Sequence, residues 1–150
     1  MPSETQTILI AGTQDAIETA KYTLGHGFEY RLAHTVEEAI SLLSPNIDLI
    51  LCNVAFDDSR MFDLIRAARS LPAPHAIPII CFRHQQRALS KATHHAIEVA
   101  LSLFPQTFFL DLYELTQQGG VSQALTTFRE ATLAHLSAKA HRPKEPLRPA

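Results

Sequence analysis

The chain has 150 residues, 46% of them apolar and 19% charged, with a net charge of −2. That balance is the one a single globular domain with a real core shows, and it excludes a disordered chain and any general attraction to nucleic acid or anionic membrane. No apolar run is long enough to cross a bilayer, residues 1–7 lack a signal-peptide core, and Cys52 and Cys81 both fall in apolar runs where thiols act as small hydrophobes, so a soluble cytoplasmic protein is expected.

The apolar run over 7–11 predicts a first strand, ended by Gly12-Thr13. Asp15 stands where it can cap the next helix, with Glu18 three residues on. Ile17, Ala20 and Leu24 supply that helix's inward face, and Gly25 or Gly27 ends it. Phe28, Tyr30 and Leu32 alternate with Glu29 and Arg31, as in a half-exposed strand at a sheet edge. Thr35 and Glu38 form a capping-box pair that opens a helix with Val36, Ala39, Ile40 and Leu43 inward, and Pro45 stops it.

Residues 47–52 are almost wholly apolar and too short for a helix, which marks a strand buried on both faces. Polar residues appear abruptly at Asn53 and at 57–60, before a helix with Met61, Leu64, Ile65 and Ala68 on one face and Asp58 or Ser59 to cap it. A Pro- and Ala-rich loop over 71–76 leads to a fourth strand over 77–82. A long helical pattern follows, with Leu89, Ala92, Ala96, Val99, Ala100 and Leu103 inward, closed by Pro105. Residues 108–112 predict the fifth strand, and Gly119-Gly120 precede a last helix carrying Val121, Leu125, Phe128 and Leu136.

The domain is expected over 7–138, between a disordered N-terminus at 1–6 and a disordered, basic, Pro-rich tail at 139–150. Strands and helices alternating with short loops predict an α/β domain, a parallel sheet covered by helices on both faces in a three-layer sandwich.

With these residues in place, the chain resembles the receiver-domain family of bacterial two-component response regulators (CheY-like) over residues 7 to about 137. The segment 48–65 carries most of the likeness: an apolar strand, an acceptor position, a loop and an amphipathic helix. The run 76–80 is similar to the strand that ends in the family's hydroxyl residue. The resemblance implies a flavodoxin-like sheet of five parallel strands in order 2-1-3-4-5. It also implies a set of site positions, and there the chain departs from the pattern. The two metal-binding acids match Gly12 and Thr13, the acceptor aspartate matches Asn53, the hydroxyl matches Arg83 and the lysine matches Asp111. The loop's Asp-Gly is replaced by Arg60-Met61, and the proline ahead of it by Asp57.

Aspartyl phosphorylation needs a carboxylate nucleophile and a metal held by hard oxygen ligands. Asn53 offers a neutral amide, Gly12 nothing and Thr13 only a hydroxyl, so these five residues are expected to form a vestigial phosphoacceptor pocket without catalysis, metal or cofactor. Asp57 and Asp58 are the acids nearest in sequence that would rebuild one, against a plainer role as helix caps. Arg83 and Asp111 are open to two readings: an ion pair filling the old pocket, or two solvated charges.

His84, His94 and His95 do not have zinc spacing, and Gly12-Thr13-Gln14-Asp15 lacks the glycines and lysine of a phosphate loop. Phe108, Phe109 and Tyr113 are either core or anchors of an interface, and the tail either solubilises or touches an anionic partner.

The leading expectation is a stand-alone pseudo-receiver signalling module, independent of phosphorylation, acting through a protein partner or as a homodimer. Neither nucleic acid nor membrane is expected as a partner. The alternative is a small flavodoxin-like ligand-binding protein or enzyme with a site near Gly12 and Asn53.

Overall fold

A computed structural model describes residues 5–56, 60–71, 76–84, 91–104 and 106–141. Five strands, β1 (Gln6–Ala11), β2 (Phe28–Ala33), β3 (Leu49–Asn53), β4 (Ile79–Arg83) and β5 (Thr107–Asp111), form one sheet in the order β2-β1-β3-β4-β5. All four pairings are parallel, as the expected topology requires. The helices are α1 (Gln14–Leu24), α2 (Val36–Leu42), α3 (Met61–Arg69), α4 (Lys91–Leu103), α5 (Leu112–Gly119) and α6 (Val121–His141). Among the described residues no helix is long and apolar enough to cross a membrane.

The period-2 alternation of the strands divides the interior into two cores. Leu9, Ala11, Ile50, Cys52, Ile79 and Cys81 face one way, where α2, α3 and Ile97 of α4 cover them. Ile8, Ile10, Leu49, Leu51, Ile80 and Phe82 face the other way, under α1, α5 and α6. Strands β1 and β3 are therefore buried on both faces, apolar over 8–11 and 49–52, and β2 keeps the half-exposed alternation of an edge.

Local rules placed most helix ends. Thr35 accepts from the Glu38 N–H at 3.1 Å, completing the expected box, and Gly25 ends α1 at φ 74°, a left-handed conformation that glycine adopts without steric cost. The cap of α1 is Thr13, not Asp15: its hydroxyl accepts from the Ala16 N–H at 3.3 Å, and Asp15 lies in the first turn, where it complements the helix dipole. For α3 the capping position is Arg60, with no side-chain cap, while Asp57, Asp58 and Ser59 lie outside the described residues.

Several expectations fail, among them that of Ile40 in α2, read as inward but 45% exposed. In α4, Ile97 is buried and Phe104 packs on the same core, whereas Val99 and Leu103 are exposed. The apolar residues of that helix, crowded into its C-terminal half, fit more than one stripe, and the sheet decides which faces inward. In α6 the buried stripe is Ala124, Phe128, Thr132 and Leu136, and Val121 is exposed. Residues 112–119, read as strand end and loop, form α5, with Asp111 accepting from the Glu114 N–H at 3.0 Å. The pair Asp111 and Glu114 is itself a capping-box spacing, hidden by extending the fifth strand through Leu112. Helix α6 also continues through 139–141, expected in the tail; residues 1–4 and 142–150 lie outside the described residues.

Cys52 and Cys81 are register partners on β3 and β4, both deeply buried. Burial holds the Cys52 thiol well above its ordinary pKa, and pushes that of Cys81 up to about 12. Since the thiolate is the reactive form, modification by an aromatic disulfide reagent at pH 8 is expected to be about a thousandfold slower in the native chain than in denaturant. Rapid labelling of either thiol in the native protein would contradict this burial.

Candidate functional site

Parallel topology brings all strand C-termini to one edge, where the loops after β1, β3, β4 and β5 meet. Gly12 and Thr13 follow β1, Asn53 ends β3, Arg83 ends β4 and Asp111 ends β5. The structure brings these residues to one edge, in the roles their local chemistry allows.

Gly12 and Asn53 are packed, not open. A Cβ built on Gly12 would lie 3.0 Å from the Asn53 Cβ and 3.3 Å from the Ala16 Cβ, so any longer side chain there has to displace its neighbours. Asn53 is 3% exposed, and both ends of its amide are used. Its Nδ2 donates to the Phe82 carbonyl at 3.3 Å, and its Oδ1 accepts from the Ala55 N–H at 3.2 Å. A carboxylate could serve the second contact but not the first, where it would face a carbonyl oxygen. The amide is thus a structural link between β3, β4 and the following turn. Thr13 is occupied as the cap of α1.

Arg83 and Asp111 are direct register partners across β4 and β5. The Arg83 Nε donates to the Asp111 Oδ1 at 3.0 Å, and the two side chains are only 16% and 17% exposed. The guanidinium also lies over the Tyr113 ring, 4.9 Å from its centroid. Of the two readings open for these charges, the ion pair is the one that forms. The same Asp111 oxygen accepts from the Glu114 N–H, so one carboxylate both holds the arginine and starts α5.

Tyr113 thereby belongs to this cluster and is not an exposed anchor. Phe108 stacks on His135 of α6 with ring centroids 4.1 Å apart, and Phe109 packs against the α2–α3 core. The three aromatics considered for an interface are engaged within the chain, one on each face of the sheet and one under Arg83. His84, weighed in the sequence only for zinc spacing, has its Nδ1 buried without a hydrogen-bond partner among the described residues, and burial lowers its pKa against the opposing pull of Asp15. Its sequence signal was only its place next to Arg83. Asp57, Asp58 and His94 cannot be placed, since they or their side chains lie outside the described residues, and His95 is exposed on α4.

Among the described residues, no cluster of three His, Cys, Asp or Glu side chains has the arrangement to hold a metal ion. Gly12, Thr13 and Asn53 offer no carboxylate between them, so these positions do not fit the hard-oxygen ligand set of a magnesium site.

Solved structures similar to this chain include receiver domains. The chain is similar to the phosphorylated cyanobacterial phytochrome response regulator RcpA, with a TM-score of 0.66 at 15% identity, covering 90% of this chain and 96% of that one. It is similar to a response regulator from Hahella chejuensis, with a TM-score of 0.67 at 13% identity and coverage of 90% and 98%. It also matches the non-phosphorylated HemR receiver domain from Leptospira biflexa, with a TM-score of 0.58 at 19% identity and coverage of 98% and 99%. No protein-family model and no curated protein matches the chain. At these identities the likeness defines the class of fold: a CheY-like receiver fold with the five-stranded order seen above.

Asp111→Ala removes counter-ion and helix cap together and is expected to lower stability by about 2–4 kcal/mol. Asp111→Asn keeps an acceptor for the Glu114 N–H and should cost about half as much. Urea unfolding of the two variants separates the contributions: an Asp111→Asn midpoint equal to that of the wild type would mean that the charge adds nothing, and equal midpoints of the two variants that the cap adds nothing.

Proposed function

We propose that this chain is a pseudo-receiver: a cytoplasmic signalling module of the two-component type that works by protein contacts, independently of phosphorylation and without catalysis of its own. The observation that carries the reading is the state of Asn53. The residue at the acceptor position of a receiver fold is here a buried amide whose donor and acceptor are both committed to backbone groups. The neighbouring strand ends support it, since Arg83 and Asp111 neutralise each other where a receiver would carry a hydroxyl and a lysine.

Incubation with acetyl phosphate and Mg²⁺ is expected to leave the mass of the protein unchanged. Asn53→Asp supplies the nucleophile but no metal ligands, so it too should remain unmodified, while losing about 1–3 kcal/mol of stability from the bond to the Phe82 carbonyl. A hydroxylamine-sensitive phosphoryl adduct on the wild-type chain would end the reading.

A module without a phosphoryl switch must bind through a surface that is always presented. The surface favoured here is α4, where Val99, Leu101 and Leu103 are 37%, 37% and 69% exposed. Neighbouring exposed apolar side chains on one helix are the material of a partner contact or a homodimer. Sedimentation at micromolar concentration is expected to show a reversible dimer that Leu103→Glu dissociates, or else Leu103→Glu loses a partner captured by the wild type. A monomer whose captured partners are unaffected by Leu103→Glu removes α4 from the reading.

A further inference from the structure

We propose that the groove between α1, α5 and α6 binds a small amphipathic amine, an ammonium group on an apolar body of about ten non-hydrogen atoms. This site is separate from the strand-end cluster: it shares no residue with Gly12, Asn53, Arg83 or Asp111, and it stands or falls independently of the pseudo-receiver reading.

The groove lies where the turn at Gly119-Gly120 separates α5 from α6, with Leu112 and Thr116 of α5 and Val121 and Leu125 of α6 lining it together with α1. It encloses about 410 Å³, within the range of small-molecule sites. Its floor is apolar, with Leu112 buried and Leu125 half-buried, and its lips are Tyr22 and Val121, which are 80% and 62% exposed. Large apolar side chains this exposed on two sides of one cavity are uncovered area that an apolar ligand body would remove from water.

The polar lining selects the head group. Glu18 contributes a carboxylate, and among the described residues no lysine or arginine lines the groove. The Thr116 hydroxyl spends its hydrogen on the Leu112 carbonyl at 2.8 Å, which leaves its oxygen as an acceptor. His84, kept mostly uncharged at neutral pH by burial despite the nearby Asp15, adds no opposing positive charge. Two cations of these helices are held elsewhere: Lys21 lies over the Tyr30 ring at 5.8 Å, and Arg129 donates to the Thr23 and Leu24 carbonyls at 3.2 and 2.9 Å. A groove whose described lining has a carboxylate, surplus acceptors and an exposed phenol ring, and no lysine or arginine, is complementary to an ammonium ion and favours it over an acid.

The test is a titration of the isotope-labelled full chain with phenethylamine, followed by amide chemical shifts, with phenylacetate as the anionic counterpart. Phenethylamine is expected to give saturable shifts at the residues of the groove, with a dissociation constant on the order of 1 mM for so small a ligand, and phenylacetate none. Glu18 is exposed on α1, so Glu18→Gln should leave the fold and its spectrum intact while weakening the amine about threefold or more. Absence of saturable shifts, equal shifts with phenylacetate, or unchanged affinity in Glu18→Gln would each overturn the assignment.

Discussion

One carboxylate oxygen, the Oδ1 of Asp111, holds the functional end of this molecule together. It accepts from the Arg83 side chain across the β4–β5 pair and from the Glu114 N–H that opens α5. The first bond neutralises a cation that would otherwise sit at a largely desolvated strand end. The second turns the chain directly from strand into helix, with no loop between β5 and α5. Because α5 begins there, Tyr113 comes to lie under Arg83, and Leu112 and Thr116 come to line the groove against α1. The contact is strong for a geometric reason: direct register partners on adjacent strands are about 5 Å apart, so little side-chain entropy is lost in bringing the two charges together.

The same strand edge satisfies its polar groups within the chain. A receiver-like edge with several acids and a metal is a cluster of like charges that the ion holds together. Here the positions are a glycine packed against Asn53, a threonine used as a cap, an amide bonded at both ends, and one compensated ion pair. Each of these polar groups finds its partner in the chain.

Fold and site were legible to different degrees for different reasons. The strands read clearly, because β1, β3 and β4 are apolar on both faces and β2 alternates, and the right-handed crossover leaves few ways to connect them. Capping boxes and glycine stops are local chemistry, so Thr35, Glu38 and Gly25 behaved as read. Helix faces were less legible: in α4 a window of Ala, Val, Leu and Ile satisfies several stripes, and only contact with the sheet selected Ile97 and Phe104 over Val99 and Leu103. The same competition moved the cap of α1 from Asp15 to Thr13, two residues apart and both able to accept.

The sequence by itself determined which atoms are present at the strand ends, and so that no carboxylate stands at positions 12, 13 or 53. It also determined the alternation that makes two cores on one parallel sheet, since burial of apolar residues at period 2 depends on chain-local order alone. Only the tertiary structure decided what those atoms do. Register placed Arg83 opposite Asp111, packing closed the space between Gly12 and Asn53, and the early start of α5 opened a groove beside α1. These are relations between residues far apart in the chain, set by the closest fit of whole elements, and no window of sequence contains both partners.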